Sequence, residues 1–383
     1  MKTFSRARIK KIEVFRLNIP LSEPFVISLE TITHARNVLV RITADNGLQG
    51  LGECSPYLRI AGETQDGAFA VAPVLAKALL GKDPLALRTA VKAMDMAIFS
   101  NRCIKSAFDL ALHDLAARLL DVPLYVLLGG ENNREISTDM TVSMLSPEAM
   151  AAAAKRFVAA GFPAVKLKLG GGYPLDVQRV AAVREAIGPG IPLRVDANQA
   201  WDAPTALRVL QGIAPFGIQF CEQPLPAAAV EAMAFLRARS PVPLMADESL
   251  FDHADAVRLL RADACDMFNI KLSKSGGIHH ATRIAHLAEA AGIPCQVGCF
   301  SETRIGMSAL AHFALAFDQV RYFDLDAPLM LAEDPVIGGL QYQPDGRVNV
   351  PDDHPGIGAV PDESFLRDIA GQSPDARISF EFP

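Results

Sequence analysis

The feature that most constrains the fold is a regular spacing of charged residues, each of which ends a short apolar run. The steps between successive members are 28, 26, 25, 24 and 53 residues, and the last is about twice the others. One step has about the length of a strand followed by a helix. The residues so spaced are Lys168, Asp196, Glu222, Asp247, Lys271 and Asp324.

This spacing predicts an α/β protein with a (β/α)₈ barrel of the TIM type. Eight apolar runs alternate with Ala-rich helical patterns: TDMTVSM, AVKLKL, PLRVDAN, IQFCEQP, PLMADES, MFNIKLS, PCQVGC and VRYFDLD. In such a barrel the C-terminal ends of all strands meet at one mouth, where active sites lie. We therefore expect the charged residues that end the strands to converge there.

The residues before the barrel follow a different pattern. Residues 8–56 read as an antiparallel meander with an Asp-Asn-Gly turn, and three helical patterns follow up to residue 120. We expect a small N-terminal α+β domain at 1–130. The barrel would occupy 131–333, and a C-terminal segment would follow at 334–383.

Composition excludes several classes of partner. The chain has 43 acidic and 37 basic residues, so it offers no basic field to a nucleic acid. No apolar run reaches the roughly 18 residues that a membrane span needs. Arg and Lys interrupt the N-terminal apolar residues, unlike in a signal peptide, so a cytoplasmic location is expected. The six irregularly spaced cysteines predict reduced thiols rather than disulfides. Among partners, a second copy of the chain is expected, in a homo-oligomer.

Three carboxylates end three successive strands and predict a metal site. Asp196, Glu222 and Asp247 would lie side by side at the mouth, and an all-oxygen set favours Mg²⁺ first and Mn²⁺ second. The alternative is that each acid only caps the following helix. Asn198 shares the face of Asp196 and is expected to hydrogen-bond a metal-bound water.

The lysines predict proton transfer. Lys166 and Lys168 share a strand face about 6.6 Å apart, and at an effective dielectric constant of 20 they would repel by about 2.5 kcal/mol. This repulsion is expected to bring one pKa towards neutrality and make a general base, unless the strand is a solvated edge. Lys271 ends the sixth strand, opposite Lys168, which is the geometry of a racemase or epimerase. Lys274 is expected to be solvated.

Two acids at the end of the eighth strand predict a second anionic site. Asp324 and Asp326 share a strand face because they are two residues apart. They lie too far round the ring to join the metal cluster, and they suit a cation on the substrate, such as an ammonium group. The alternative is a pair of solvated loop acids.

The motifs KLKL, VDAN, CEQP, ADES and NIKLSKSGG, in this order, resemble the enolase superfamily in its muconate-lactonizing subgroup. The resemblance spans residues 8 to about 360. It implies that the domain at 1–130 is a capping domain that carries the substrate-specificity loops, and that the C-terminal segment at 334–383 returns to it. It also implies that Lys168 and Lys271 are the two proton-transfer bases and that the three acids bind Mg²⁺. The DxD at residues 324–326 resembles that of dipeptide epimerases, where it receives the substrate's α-ammonium.

The resemblance implies Mg²⁺-dependent 1,1-proton transfer at the α-carbon of a dipeptide's C-terminal residue, through an enediolate. The alternative is an N-acylamino acid racemase or a cycloisomerase of the same subgroup. A metal-dependent hydrolase is disfavoured because no HxH motif occurs. Glu30 stands where Ala-Glu epimerases carry an arginine, whereas Arg59 lies in the second loop. Either could meet the substrate side chain, and we lean towards neutral or cationic C-terminal residues.

Overall fold

The computed structural model describes residues 7–382 and begins with an antiparallel sheet covered by helices. An added Cβ at Gly52 would lie 2.0 Å from Ala107 O, so glycine lets the third strand pack directly against the fourth helix. The strands are β1 (Ile9–Val26), β2 (Thr31–Ala44) and β3 (Gln49–Cys54). The helices are α1 (Leu58–Ala61), α2 (Gln65–Leu79), α3 (Leu87–Ala97), α4 (Arg102–Leu120) and α5 (Leu124–Leu127).

The central part of the chain forms the predicted barrel. A short strand, β4 (Ile136–Ser137), precedes eight parallel strands that pair in chain order. These are β5 (Met140–Val142), β6 (Val165–Lys168), β7 (Leu193–Asp196), β8 (Ile218–Glu222), β9 (Leu244–Ala246), β10 (Met267–Ile270), β11 (Cys295–Val297) and β12 (Val320–Phe323). The predicted combination of an eight-stranded α/β barrel and an N-terminal α+β unit is confirmed.

Helices follow the barrel strands, and the longer ones cover the outside of the barrel. They are α6 (Pro147–Ala159), α7 (Leu175–Ile187), α8 (Ala203–Ile213), α9 (Val230–Arg237), α10 (His253–Ala262), α11 (Leu272–Ser275), α12 (Ile278–Ala291), α13 (Arg304–Ala316) and α14 (Ala327–Met330). The eighth unit departs from the expected alternation, because its helix, α14, is a single turn. The chain then turns to the edge of β1, where Ala332 N donates to Pro20 O over 2.8 Å.

The C-terminal residues return to the N-terminal sheet. They form β13 (Val336–Gly338), β14 (Gln341–Tyr342), β15 (Arg347–Asn349), β16 (Ala359–Pro361), α15 (Glu363–Gln372) and β17 (Arg377–Glu381). β17 pairs antiparallel with β1 and so adds a fourth strand to that sheet. Two 3₁₀ turns, at Ala214–Phe216 and Pro374–Ala376, complete the structure. Within residues 7–382, no helix is both long and apolar enough to cross a membrane.

The hairpin between β1 and β2 reaches over the mouth of the barrel. Ser28, at its tip, donates through Oγ to the backbone oxygens of Ala197 and Asn198, each at 3.0 Å. Both acceptors directly follow β7. The N-terminal unit is therefore anchored beside the strand ends where the charged residues were expected.

Candidate active site

The three carboxylates expected to bind metal end neighbouring strands. Asp196 and Glu222 are in register at the ends of β7 and β8, and Asp247 directly follows β9. All three are completely buried. Loss of hydration and the negative charge of Asp196 raise the pKa of Glu222 to about 7, although the nearby Lys166 opposes this. Burying these three acids together costs free energy, and nearby cations are needed to offset that cost.

Lysines supply part of that positive charge. Lys168 Nζ lies 2.6 Å from Asp196 Oδ2, and Lys271 Nζ lies 2.8 Å from Asp247 Oδ2. Lys274 also pairs with Asp247 and donates to its backbone oxygen at 2.5 Å. Our expectation that Lys274 is solvated is wrong, since its side chain is fully buried. The single turn of α11 carries it back towards the end of β9.

Lys166 has different partners from its neighbour on β6. Its ammonium pairs with Asp324, which follows β12, the strand on the other side of β5, and lies 3.8 Å from Glu222 Oε2. Burial alone would lower the pKa of Lys166, but Asp324 and Glu222 outweigh it and raise the pKa well above its usual value. Repulsion between the two lysines therefore does not bring Lys166 near neutrality, because each lysine has its own carboxylate.

Amide side chains hold the acids in place, and these were not expected from the sequence. Gln223 Oε1 accepts from the backbone nitrogens of Asp247 and Ser249, at 2.9 and 3.1 Å. Asn269 and Gln296 donate to the two oxygens of Glu222, at 2.8 and 3.3 Å. The sequence signal that could have identified them is an amide residue within, or just after, a strand that ends at the mouth.

Asn198 and Glu248 lie beside the carboxylates. Asn198 donates through Nδ2 to Glu248 Oε1 at 3.2 Å, and its backbone nitrogen donates to Asp196 Oδ1 at 2.8 Å. Burial and the charge of Asp247 raise the pKa of Glu248 to about 8. Asn198 Oδ1 and Glu248 Oε2 are buried and accept no hydrogen bond from any described residue.

This donor set fits a hard divalent cation. Its three buried carboxylates, with unpartnered amide and carboxyl oxygens beside them, are the ligand types that Mg²⁺ prefers. Cys299, Asp324 and Asp326 also bring ligand atoms within 4.8 Å of one another. A thiol suits Mg²⁺ poorly, and Lys166 already neutralises Asp324. The first cluster is therefore the better candidate for Mg²⁺.

Asp324 and Asp326 lie on the other side of the mouth and differ in charge compensation. Lys166 pairs with Asp324 and lowers its pKa despite its burial. Asp326 Oδ2 accepts from Thr141 N at 2.8 Å, and its Oδ1 lies 3.6 Å from Cys299 Sγ. Burial and the charge of Asp324 raise the pKa of Asp326 to about 7. Asp326 forms no ion pair within the described chain and can receive a cation.

Aromatic rings cover the two lysines on opposite strands. The Phe25 ring centroid lies 5.8 Å from Lys168 Nζ, and that of Phe300 lies 4.8 Å from Lys271 Nζ. Tyr57 stacks on Phe300 with a centroid distance of 5.5 Å. The rings contact the ammonium groups favourably and limit the access of water to them.

The two residues expected near the substrate side chain have different surroundings. Glu30 is exposed at the hairpin tip and lines a cavity of about 420 Å³ together with Tyr57, Glu63 and Ser301. Burial, together with the charge of Glu30, raises the pKa of Tyr57. Arg59 is exposed on α1 and has no hydrogen bond or ion pair from its side chain to the residues that the structure describes.

Comparison with known proteins agrees with this arrangement. A family model described as "Enolase C-terminal domain-like" matches residues 149–365, and one for the "Mandelate racemase / muconate lactonizing enzyme, N-terminal domain" matches 10–129. The chain is 46% identical to a D-Ala-D/L-Ala epimerase from Cytophaga hutchinsonii, over 94% of this chain and 97% of the relative.

Two solved structures are similar along nearly the whole chain. The first is a dipeptide epimerase from Cytophaga hutchinsonii complexed with Mg and D-Ala-L-Val, with a TM-score of 0.94 and 44% identity over 97% of this chain and 99% of that one. The second is an N-succinyl Arg/Lys racemase from Bacillus cereus, with a TM-score of 0.93 and 31% identity over 98% and 100% of the two chains. The fold is thus shared with a dipeptide epimerase and with an N-succinyl Arg/Lys racemase.

Proposed function

The chain belongs to the enolase superfamily, in the mandelate racemase and muconate lactonizing enzyme family, and we propose that it is a Mg²⁺-dependent dipeptide epimerase. One observation carries the proposal. The barrel mouth has lysines on opposite strands and an acidic cluster on one side. On the other side lies Asp326, a buried carboxylate that forms no ion pair with any residue the structure describes. This arrangement suits a small molecule with a carboxylate at one end and an ammonium group at the other.

The acidic cluster would bind the metal and, through it, the substrate carboxylate. Asp196, Glu222 and Asp247 would hold Mg²⁺, which supplies positive charge to stabilise the negative charge that develops on the substrate when the α-proton leaves. Gln223 and the amides on Glu222 keep these ligands oriented. Lys166 would remain an ammonium group, because acidic neighbours raise its pKa, and would add to the positive potential.

The two opposed lysines would move the proton. Lys168 Nζ, as a neutral amine, would take the α-proton from one face of the C-terminal residue. Lys271 Nζ, as an ammonium group, would return a different proton to the opposite face, and the configuration would invert. The other epimer would use the same groups in reversed roles. Phe25 and Phe300 would keep bulk water away from the lysines, so that each proton goes to the substrate.

The site of the ammonium group distinguishes a dipeptide from an acylated amino acid. A free dipeptide carries its positive charge one residue away from the carbon that reacts, and Asp326 and Asp324 are available to pair with it. An N-acylamino acid carries no such charge and would leave Asp326 unpaired. Racemisation of N-acylamino acids is therefore the second candidate function rather than the first.

The test is to incubate a set of L,L-dipeptides with enzyme and Mg²⁺ in D₂O. We expect loss of optical purity and a mass gain of one deuterium at the C-terminal α-carbon, both abolished by EDTA and restored by Mg²⁺. The same assay includes N-acetyl and N-succinyl amino acids. Turnover of these in preference to free dipeptides would replace the proposal with the second candidate, and full activity in EDTA would contradict the metal assignment.

A further inference from the structure

The two proposed proton-transfer lysines are held in place by different means. Lys168 is the last residue of β6, where it is in register with Asp196 of β7, so the sheet fixes its backbone. Lys271 lies one residue beyond β10 and has no strand partner in the part of the chain that the structure describes. It directly precedes α11, a helix of a single turn. The position of Lys271 therefore depends on the contacts that this turn makes.

One buried carboxylate, that of Glu302, connects this turn to the ring that covers the lysine. Ser273, in α11, donates through Oγ to Glu302 Oε1 at 2.6 Å. The backbone nitrogen of Phe300 donates to Glu302 Oε2 at 2.7 Å, and the Phe300 ring centroid lies 4.8 Å from Lys271 Nζ. Glu302 lies in the loop between β11 and α13 and is 4% exposed. Its two oxygens therefore join the turn that follows Lys271 to the aromatic cover of the same ammonium group.

The N-terminal unit supports this contact. Ser55 directly follows β3, and its backbone nitrogen donates to Ser273 Oγ at 3.2 Å. Ser55 Oγ in turn accepts from Ser301 N at 3.3 Å. Burial raises the pKa of Glu302, and the hydrogen bonds from Ser273 and Phe300 oppose that rise. These hydrogen bonds therefore offset part of the free-energy cost of burying the carboxylate.

We propose that Glu302 is a positioning residue for Lys271 and leaves Lys168 unaffected. The inference rests on the proposed function. Loss of the carboxylate would release the α11 turn and the Phe300 backbone together, and Lys271 Nζ would lose its alignment with one face of the substrate α-carbon. Within residues 7–382, no hydrogen bond or ion pair joins Glu302 to Lys168. Proton transfer on the face that Lys168 serves would therefore keep its geometry.

The two faces can be measured separately by exchange of the α-proton with D₂O. Each epimer of a dipeptide presents its α-proton to one of the two lysines. We define the first epimer as the one whose exchange is lost in Lys271→Ala, and the second as the one that Lys168 deprotonates. Epimerisation uses both lysines in either direction, so its rate does not distinguish them. The initial rate of exchange, followed by NMR for each epimer alone, does.

Glu302→Ala removes both contacts of the carboxylate. It should lower kcat for exchange of the first epimer by about tenfold to a hundredfold, which is the loss expected from a displacement of about 1 Å. Exchange of the second epimer should change by less than about twofold, and KM should stay constant for both. Glu302→Gln should recover much of the lost rate, because its amide oxygen can accept from Phe300 N while its amide nitrogen donates to the Ser273 hydroxyl.

Ser273→Ala tests the same contact from the side of α11. It deletes one hydroxyl, leaves Glu302 in place, and should slow exchange of the first epimer alone by about three- to tenfold. Glu53→Gln is the matched control, because Glu53 is also buried and accepts from Thr303 N and Gly306 N at 3.0 Å each. Since the described structure gives Glu53 no hydrogen bond with Ser273, this variant should leave the ratio of the two exchange rates unchanged. Melting temperatures show whether each variant is folded.

The asymmetry between the two epimers decides the inference. Exchange that is unchanged, or slowed equally for both epimers, in whichever of Glu302→Ala and Ser273→Ala is folded would show that Glu302 does not position Lys271. Selective slowing of the second epimer would contradict the inference as well. The proposed function would stand in each of these cases. If the unmodified enzyme exchanges no dipeptide α-proton, the proposed function fails, and the inference fails with it.

Discussion

The two sides of the barrel mouth balance their buried charges in different ways. On the side of β7 to β9, Asp196 and Asp247 each pair with lysine, and amides orient Glu222. On the side of β12, Asp324 pairs with Lys166, whereas Asp326 has, among residues 7–382, only the Thr141 backbone N–H and the Cys299 thiol as partners. The first side is built to concentrate charge, and the second leaves one carboxylate to be neutralised from outside.

This difference explains how one mouth can bind both ends of a zwitterion, its carboxylate and its ammonium group. The compensated side can hold an added divalent cation, because its carboxylates remain available as metal ligands when their contacts with the lysines are lost. The uncompensated side gains most from a substrate ammonium group, because burial and neighbouring acids raise the pKa of Asp326 to about 7. Substitutions on the two sides should therefore impair different steps. Those on the side of β7 to β9 should impair binding of the metal, and those on the side of β12 should impair binding of the amine.

The largest expected effect concerns the lysines between the two sides. Lys168→Ala and Lys271→Ala should each abolish epimerisation, because inversion needs a proton donor and an acceptor on opposite faces. Each variant should still exchange the α-proton of one substrate epimer with D₂O, and the two variants should differ in which epimer exchanges. NMR of both epimers in D₂O measures this. Exchange of the same epimer by both variants would contradict the assignment.

The next effect separates the two sides by metal affinity. Asp247→Asn removes a negative charge that faces Lys271 and Lys274, so Mg²⁺ binding measured by calorimetry should weaken by about 100-fold or more. Asp326→Asn serves as the control and should bind Mg²⁺ as the unmodified enzyme does. Equal loss of Mg²⁺ affinity in both variants would mean that the two sides are not separate.

A smaller effect is expected for recognition of the amine. N-acetylation of a dipeptide should lower kcat/KM by about tenfold to a hundredfold, because a charge-assisted hydrogen bond is worth about 1.5 to 3 kcal/mol. The double variant Asp324→Asn, Asp326→Asn should shrink that difference, mainly by slowing the free dipeptide. Equal kcat/KM values for free and acetylated substrates with the unmodified enzyme would favour N-acylamino acid racemisation.

The pH dependence of the same side follows from Asp326. Burial and the charges of Asp324 and Asp139 raise its pKa from 3.8 to about 7, so the group is neutral below that pH and ionised above it. The kcat/KM for a free dipeptide should rise as the pH increases through about 7. It should fall again above about 8, where the substrate ammonium group loses its proton. Asp326→Asn should flatten the rising limb measured between pH 5 and 8.

The smallest effect concerns selection of the C-terminal side chain. Glu30 is exposed, so its attraction for a cationic side chain is screened, and Glu30→Gln should lower kcat/KM for Ala-Lys by about two- to fivefold relative to Ala-Ala. Arg59→Ala should change neither substrate. A kcat/KM for Ala-Glu above those for Ala-Lys and Ala-Ala, lost in Arg59→Ala, would show that Arg59 and not Glu30 meets the substrate.

The spacing of charged residues along the chain predicted much of the fold and of the candidate site, because strand ends in a barrel recur at nearly constant intervals. Asp196, Glu222 and Asp247 were found as the residues that end three consecutive strands, and they lie together in the structure. The same motifs indicated the family, and the family models confirm it. The domain boundaries, the cytoplasmic location and the homo-oligomer stay predictions.

The side-chain contacts between different strands and turns could not be predicted from spacing. Lys166 was expected to repel Lys168, but Asp324, which is 158 positions further along the chain, pairs with it. Lys274 was expected in solvent, because the single turn of α11 that buries it is too short to leave a helical pattern.

The fourth strand of the N-terminal sheet has a consequence for the order of folding. β17 pairs with β1 although the whole barrel lies between them in the chain. A ribosome that synthesises this protein therefore releases the barrel segments before the sheet over their mouth can be completed. Contacts so distant along the chain form late. The pairing of β17 with residues 11–15 of β1 should therefore be the last step that completes the N-terminal sheet, after the barrel and the β1–β2 hairpin have formed.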